Sequence, residues 1–267
     1  MIGSSKRLFS VGRPVLAAAR TNVSSASIDN KEVEMFSGLS SEWADELGPF
    51  NALHSLNRVR VPWIVGNIPR TRNSTPRVVD VGSGGGLLSI PLARSGLNVI
   101  GIDATLEAVE AAKKALESKP LAMSKINEQL CFEWTSVEDF SKKGENIGKF
   151  DAVIASEIIE HVADIGGFVK SLAALARPGA PLFFTTMNRT IFSKLAAIWI
   201  AEDILGVVPK GVHDWAKFIT PAELSRVIDE AGCRVQSLQG LNYDPFGNKW
   251  SWTSSTRCNY ALMAIKE

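Results

Sequence analysis

The segment Glu157-Ile158-Ile159-Glu160-His161 carries two carboxylates and an imidazole within five residues. Positions i, i+3 and i+4 share one face of a helix, so a helix here would bring Glu157, Glu160 and His161 together. Such a set could hold a divalent cation, and oxygen ligands with open positions favour Mg²⁺ over a closed zinc site. His161 could instead act alone as a general base. Alternatively, the two glutamates merely favour a helix N-terminus electrostatically.

A glycine-rich turn is the second candidate site. Gly82, Gly84 and Gly86 follow an apolar run that ends at Val81, and they leave a turn in which a ligand can lie against bare backbone and the following helix N-terminus. Asp103 ends the next apolar run, seventeen residues after Gly86. A carboxylate at that place can accept hydrogen bonds from both hydroxyls of a ribose. The pair predicts a nucleotide-like cofactor, although glycines can also serve close helix packing alone.

The residues around this turn discriminate between cofactors. A dinucleotide fingerprint requires a glycine where this chain has Leu87. Asp80 would repel a pyrophosphate, whereas its charge suits the ammonium group of a methionine moiety. The pattern resembles the Asp-x-Gly-x-Gly-x-Gly motif of the class I S-adenosylmethionine-dependent methyltransferases. That resemblance implies S-adenosylmethionine as the cofactor, with a nicotinamide oxidoreductase as a distant alternative.

The elements that must position these residues are those of an α/β protein. Apolar runs alternate with helical patterns from Arg77 onward, which is typical of parallel strands joined by helical crossovers. We expect a Rossmann-like, seven-stranded, mostly parallel sheet with helices on both faces and an antiparallel last strand. The predicted strands lie near 77–81, 98–102, 130–135, 150–155, 181–187, 233–239 and 258–265, and the predicted helices at 87–95, 106–118, 165–176 and 221–231.

Two stretches lie outside this alternation. A helical preface at 35–70 is rich in aromatic residues, and an insertion occupies 188–220. Ligands bind beyond the carboxyl ends of strands in open α/β sheets, and long connections at that edge usually carry function. We therefore expect both stretches to cover the ligand-binding edge of a single domain that spans 31–267.

Several further motifs narrow the resemblance to one family. The chain resembles the ubiquinone biosynthesis O-methyltransferases over about residues 35–265. The motifs that carry this resemblance are Asn57-Arg58-Val59-Arg60, the glycine turn, Glu157-x-x-Glu160-His161, Asn188-Arg189, Val208-Pro209-Lys210-Gly211-Val212-His213-Asp214, Phe218-Ile219-x-Pro221-Ala222-Glu223-Leu224, Gly240-Leu241-Asn242-Tyr243-Asp244-Pro245 and Asn259-Tyr260. The resemblance implies methylation of ring hydroxyls on a polyprenyl-dihydroxybenzoate and on a later demethylubiquinol intermediate.

The resemblance also implies roles for individual residues. The residues expected to bind the methyl donor are Arg60, Asp80, Gly82, Gly84, Asp103 and Ser156, the last through its backbone. Glu157, Glu160 and His161 are expected to bind Mg²⁺, and His161 to take the phenol proton. His213 and Asp214 are candidates on the substrate side, or else a pair that orders their loop.

A lipid substrate requires contact with a membrane. The segment 191–205 within the insertion is apolar, contains Trp199 and is too short and too charged to span a bilayer, so it is expected to lie in the membrane surface. The alternative is an ordinary amphipathic core helix. In eukaryotes the family works on the matrix face of the mitochondrial inner membrane with other enzymes of the pathway, which implies a multi-subunit complex as a partner.

Composition and charge restrict the remaining possibilities. The chain has 29 basic and 28 acidic residues, so no global basic field indicates nucleic acid binding. Residues 1–28 contain four cations, no carboxylate and six serines, which predicts a mitochondrial presequence over about 1–30, although a disordered basic tail has the same composition. Three dispersed cysteines are typical of a reducing compartment.

Two alternative functions stay open at the level of the sequence. Another small-molecule methyltransferase would share the whole donor half of the site. A non-catalytic subunit that scaffolds a lipid-biosynthesis complex would be indicated by loss of Glu157, Glu160 and His161, which are all present here.

Overall fold

The computed structural model describes residues 27–29, 33–34, 37, 43, 45, 47–48, 50–69, 74–118, 126–190, 193 and 217–267. The helices in this part of the chain are α1 (Asn51–Asn67), α2 (Ser89–Arg94), α3 (Leu106–Leu116), α4 (Val137–Lys142), α5 (Ile165–Leu175) and α6 (Pro221–Glu230). The strands are β1 (Arg77–Val81), β2 (Asn98–Asp103), β3 (Leu130–Trp134), β4 (Ala152–Ser156), β5 (Pro181–Met187), β6 (Cys233–Asp244), β7 (Lys249–Thr253) and β8 (Asn259–Lys266).

The strands form one sheet in the order β3-β2-β1-β4-β5-β8-β6-β7. Strands β1 to β5 pair in parallel, and β8 inserts antiparallel between β5 and β6. The mostly parallel sheet and the antiparallel last strand are as predicted. The expected count of seven strands is wrong, because β7 folds back on the end of β6 as an antiparallel hairpin and makes an eighth strand.

The strand order reverses at β1, which pairs with β2 on one side and with β4 on the other. A crevice therefore opens beyond the carboxyl ends of these strands, where their two crossover connections leave in opposite directions. Asp80, Asp103 and Ser156 all lie at or next to the carboxyl end of one of these three strands. The sheet thus brings together residues that lie up to 76 positions apart in the chain.

Apolar side chains from helices cover both faces of the sheet. Consecutive residues of a strand point to opposite faces, so Val79 joins the core cluster with α4, α5 and α6, while Val78 joins the cluster with α1, α2 and α3. The helix α6 begins with a capping box, in which the Thr220 side chain and the Glu223 side chain each accept a backbone N–H of the other. Both faces are therefore covered by helices, as the alternation predicts.

In the described part of the helical preface lies one long helix, α1, and the predicted helices at 87–95, 106–118, 165–176 and 221–231 correspond to α2, α3, α5 and α6. Most of the insertion at 188–220, including the segment around Trp199, lies outside the described residues. Among the helices that are described, none is long and apolar enough to cross a bilayer.

Candidate active site

A cavity of about 520 Å³ lies at the carboxyl edge of the sheet. Its lining includes nine of the predicted site residues, namely Arg60, Asp80, Gly82, Gly84, Asp103, Ser156, Glu157, Glu160 and His161. Helix α1 and the residues before it contribute Trp43, Phe50 and Leu53 to the lining. The two chemical clusters of the sequence, which are 71 residues apart at Gly86 and Glu157, therefore share one enclosed space.

The glycine turn has a backbone conformation that requires glycine. Gly82 has a φ of 74°, and a Cβ atom there would lie 2.6 Å from Cγ1 of Ile158. Gly84 has a φ of 51°, and a Cβ atom there would lie 2.7 Å from Cη2 of Trp43. L-residues with side chains rarely adopt this left-handed region. The turn is consequently bare toward the cavity and is packed from both sides by side chains that leave no room for another.

Asp103 and the turn form one unit. The Gly84 N–H donates to Oδ2 of Asp103 over 2.8 Å, and the Thr105 N–H donates to Oδ1 over 2.7 Å. Burial raises the pKa of Asp103, while these backbone hydrogen bonds act in the opposite direction. These two bonds hold the Asp103 carboxylate in place relative to the glycine turn. Each of its oxygens keeps a lone pair for a further hydrogen bond, so the carboxylate can still bind a ribose.

Asp80 is buried at the end of β1, with only 2% of its surface exposed. The Ser89 hydroxyl donates to its Oδ2 atom over 2.6 Å. Burial raises the pKa of Asp80 to about 6, against the lowering effects of the Ser89 hydrogen bond and of the Arg60 guanidinium. A carboxylate that is desolvated to this degree is stabilised by a cationic ligand, and the ammonium of a methionine moiety supplies one.

Arg60 connects α1 to the centre of the site. Its Nε atom donates to Oδ1 of Asn57, and its Nη1 atom donates to Oγ of Ser156, both over 2.7 Å. The Nδ2 atom of Asn57 in turn donates to the Leu87 carbonyl oxygen over 2.7 Å. Burial lowers the pKa of Arg60, while Glu157 and Asp80 raise it. The result is a buried cation that faces the carboxylates of the cavity and whose direction is fixed by Asn57 and Ser156.

The predicted helix over Glu157–His161 is wrong at its first residue. Glu157 has a φ of 55°, and its N–H donates to the Thr185 carbonyl oxygen over 2.8 Å, so the backbone continues its pairing with β5 instead of entering a helix. Only Ile159–His161 forms a short 3-10 helix. Glu157, Glu160 and His161 therefore do not share a helix face, but all three line the cavity.

Glu160 nevertheless has a strong effect on the ionisation of Glu157. Burial and the neighbouring charge of Glu160 raise the pKa of Glu157 to about 7, while a hydrogen bond with Thr185 and the charges of Arg60 and His161 lower it. Glu160 is 4% exposed, and its Oε2 atom accepts from the Thr186 hydroxyl over 2.8 Å. Among the described residues, no three His, Cys, Asp or Glu side chains are close enough together to form a metal-binding group.

Two further residues were predicted on the substrate side of the site. His213 and Asp214 lie outside the described residues. The structure adds residues that the sequence analysis did not single out, above all Thr185 and Thr186 at the end of β5, whose hydroxyls bond Ser156 and Glu160. The sequence signal that could have identified them is a pair of consecutive polar residues at the carboxyl end of an otherwise apolar strand.

The family model described as a methyltransferase domain matches residues 42–238. The ubiquinone biosynthesis O-methyltransferase of Rattus norvegicus, named as mitochondrial, is 39% identical over 250 residues, which cover 91% of this chain and 71% of the rat protein. The enzyme of the same name from Homo sapiens is 38% identical, and the matched region covers 92% of this chain and 67% of the human protein. That from Methylocella silvestris is 36% identical, with coverages of 93% and 99%.

Solved structures give the same fold. The magnesium protoporphyrin IX methyltransferase from Synechocystis, with bound SAH, superimposes with a TM-score of 0.61 at 22% identity, covering 90% of this chain and all of that one. A possible histamine N-methyltransferase from Thermotoga maritima also has a TM-score of 0.61, at 13% identity, with coverages of 88% and 100%. At these identities the similarity concerns the fold alone.

Proposed function

Since the chain belongs to the ubiquinone biosynthesis O-methyltransferases, we propose that it methylates ring hydroxyls of a polyprenyl-dihydroxybenzoate and of a demethylubiquinol intermediate. It is an S-adenosylmethionine-dependent O-methyltransferase of ubiquinone biosynthesis. The observation that carries the proposal is the shared cavity, in which the glycine turn and the Glu157–His161 segment line the same space. A donor and an acceptor bound there would be in contact, as methyl transfer requires.

The donor half of the cavity lies between β1 and β2. We assign Asp103 to the ribose hydroxyls, Asp80 to the ammonium group, and the bare backbone of Gly82 and Gly84 to close contact with the ligand. Arg60 provides the positive charge that a donor carboxylate needs, and its bond to Ser156 holds the guanidinium in place. The donor carries a net positive charge, so a site lined by buried carboxylates favours it over the neutral thioether product.

The acceptor half contains the group that we assign to proton transfer. His161 takes the proton from the phenol hydroxyl, and the resulting phenolate oxygen attacks the methyl carbon in line with its bond to sulfur. The oxygen–carbon bond forms while the carbon–sulfur bond breaks, and the sulfur leaves with the electron pair as a neutral thioether. The products are a methyl ether, the thioether and a protonated His161, so atoms and charge balance.

As an alternative to proton transfer by His161, we further propose that Mg²⁺ binds to Glu157, Glu160 and His161, because an imidazole whose lone pair ligates a metal cannot also take the phenol proton. The charge of Glu160 and burial together raise the pKa of Glu157, so a cation between the two carboxylates would be favourable, and carboxylate oxygens are the ligands that Mg²⁺ prefers. When bound, the metal would lower the pKa of the phenol. His213 and Asp214 remain our candidates on the substrate side, although they lie outside the described residues.

The cellular setting is a proposal as well. The acid-free segment at 1–28 and the mitochondrial naming of the rat and human relatives support import into mitochondria. The apolar segment 191–205 with Trp199 supports a peripheral contact with the inner membrane on the matrix side. A lipid substrate that is passed between successive enzymes also favours a complex with other enzymes of the pathway.

The experiment that tests this function is a methyl-transfer assay with a short-chain prenylated dihydroxybenzoate, with and without a chelator. We expect the wild type to turn over, His161→Ala to lose about 10²- to 10⁴-fold in kcat, and donor Kd to stay unchanged in that variant. Inhibition by the chelator, reversed by added Mg²⁺, would support the metal. Absence of turnover in every condition would refute the acceptor assignment, and a fully active His161→Ala would exclude His161 as the base.

A further inference from the structure

The hairpin of β6 and β7 lies at the edge of the sheet opposite to β3 and contributes two residues to the lining of the cavity. In the sheet order the lining runs from Asp103 at β2 past Gly82 and Ser156 to Met187 at the end of β5, and then to the hairpin. The donor occupies the β1–β2 half in our proposed function. The space beside the hairpin is thus what remains for the acceptor.

Two aromatic side chains of the hairpin line this space. Tyr243 and Trp250 are direct cross-strand partners, with ring centroids 4.8 Å apart and an angle of 33° between the ring planes. Trp250 is 9% exposed, and its Nε1 atom donates to the Ala52 carbonyl oxygen of α1 over 2.9 Å. The indole is therefore fixed against α1 and presents an immobile apolar surface.

Asn248 holds the hairpin against α1. Its Oδ1 atom accepts from the Tyr243 hydroxyl over 3.1 Å and lies 2.7 Å from the Ser55 hydroxyl oxygen, while its Nδ2 atom donates to Asn51. Asn248 also has a φ of 43°, a left-handed conformation that asparagine tolerates better than most residues. One side chain consequently connects the turn, the tyrosine and the helix.

We propose that Tyr243 and Trp250 form the wall against which the aromatic ring of the acceptor packs, and that Asn248 positions this wall. The inference rests on the proposed function, since it takes the acceptor to be a substituted phenol. Aromatic rings at this spacing favour offset or edge contacts with a further ring. Leu47 also lines the cavity and is 89% exposed, so it offers an apolar contact to an isoprenoid chain attached to the acceptor.

The chain offers a matched control for this proposal. Trp252 lies on the same strand two residues after Trp250, packs on Trp63 with ring centroids 5.7 Å apart, and does not belong to the cavity lining. Trp250→Leu and Trp252→Leu remove the same side chain from the same hairpin. Only the first removes it from the cavity.

The test measures KM for a prenylated dihydroxybenzoate, kcat, donor Kd and Tm in these variants. We expect Trp250→Leu to raise the acceptor KM about tenfold, and Trp252→Leu to change it less than twofold, with donor Kd unchanged in both. Asn248→Gly keeps the backbone conformation and removes the amide, so it should raise KM less than Trp250→Leu does and leave kcat unchanged. If Trp250→Leu fails to fold, Tyr243→Leu takes its place.

Three results would overturn the inference: an unchanged acceptor KM in Trp250→Leu, equal KM changes in the two tryptophan variants, or a parallel loss of donor affinity. In each of these cases wild-type turnover would leave the proposed function intact. A wild type that methylates no prenylated phenol would instead refute the proposed function, and the assignment of Tyr243 and Trp250 with it.

Discussion

Donor binding should weaken in mild acid because of Asp80. This carboxylate is desolvated at the end of β1, and burial raises its pKa to about 6. The ammonium group of the donor is attracted only to the ionised form. The α-amino and α-carboxyl groups of the donor keep their charges between pH 5 and pH 7. The change in donor affinity over this range therefore comes from a titrating group of the protein.

The magnitude follows from that pKa. With a value of about 6, roughly nine tenths of Asp80 is ionised at pH 7 and roughly one tenth at pH 5. The donor Kd should therefore rise about tenfold over this interval, equivalent to about 1.4 kcal/mol.

Stability without ligand should show the opposite trend. A carboxyl whose pKa is raised on folding contributes stability that is present below its unfolded pKa and is lost as the pH rises through the folded pKa. Between the ordinary value of 3.8 and about 6, Asp80 alone accounts for about 3 kcal/mol that the ligand-free protein loses on going to neutral pH.

The assay is isothermal titration with S-adenosylmethionine at half-unit steps from pH 5 to pH 8, together with urea unfolding of the ligand-free protein. Asp80→Asn should bind weakly with a flat pH profile. Glu138→Gln, which changes another carboxylate of the same cavity lining, should keep the wild-type slope. If Asp80→Asn retained the wild-type slope, the titration would belong to a different group and our account of Asp80 would be refuted.

Two further variants and one fusion test other parts of the account. Gly82→Ala places a Cβ atom 2.6 Å from Cγ1 of Ile158 in a left-handed conformation, so it should cost roughly 2–4 kcal/mol in urea unfolding and weaken donor binding; wild-type stability would contradict this. Replacing both Trp199 and Ile200 with Glu should abolish liposome flotation without changing donor Kd, and retained flotation would exclude this segment as the membrane contact. Fusion of residues 1–30 to a fluorescent protein should direct it to mitochondria, whereas a cytosolic signal would refute the presequence.

The strands could be predicted because their apolar runs are long and bounded by turns. The strand β1 has the predicted bounds, and β4 begins two residues later than expected. The strand β7 was missed because Lys249–Thr253 is short, largely exposed and held by its pairing with β6. The sequence signal for this hairpin is a Pro-Phe-Gly-Asn turn between two segments in which apolar and polar residues alternate.

The site was predictable in its composition but not in its geometry. Sequence spacing alone suggested a helix for Glu157, whereas the tertiary hydrogen bond from its N–H to Thr185 sets its backbone. The aromatic wall at Tyr243 and Trp250 was equally inaccessible, since it depends on which strand lies beside which. The backbone of Glu157 and the position of the aromatic wall thus depend on pairing between distant strands, which the periodicity of the sequence does not predict.

The bonds between α1 and the hairpin also bear on how the chain folds. Ser55 and Asn248 are 193 residues apart, and Ala52 and Trp250 are 198 residues apart. During synthesis the helix leaves the ribosome long before its partners exist, and contacts between such distant segments form late because loop closure is costly. We expect the amides of α1 to gain protection in pulsed hydrogen exchange after those of β1 and β4. Earlier protection of α1 would show that the helix docks without the hairpin. On the expected order, an emerging or partly folded chain has its sheet but no enclosed cavity, so it cannot yet sequester the methyl donor.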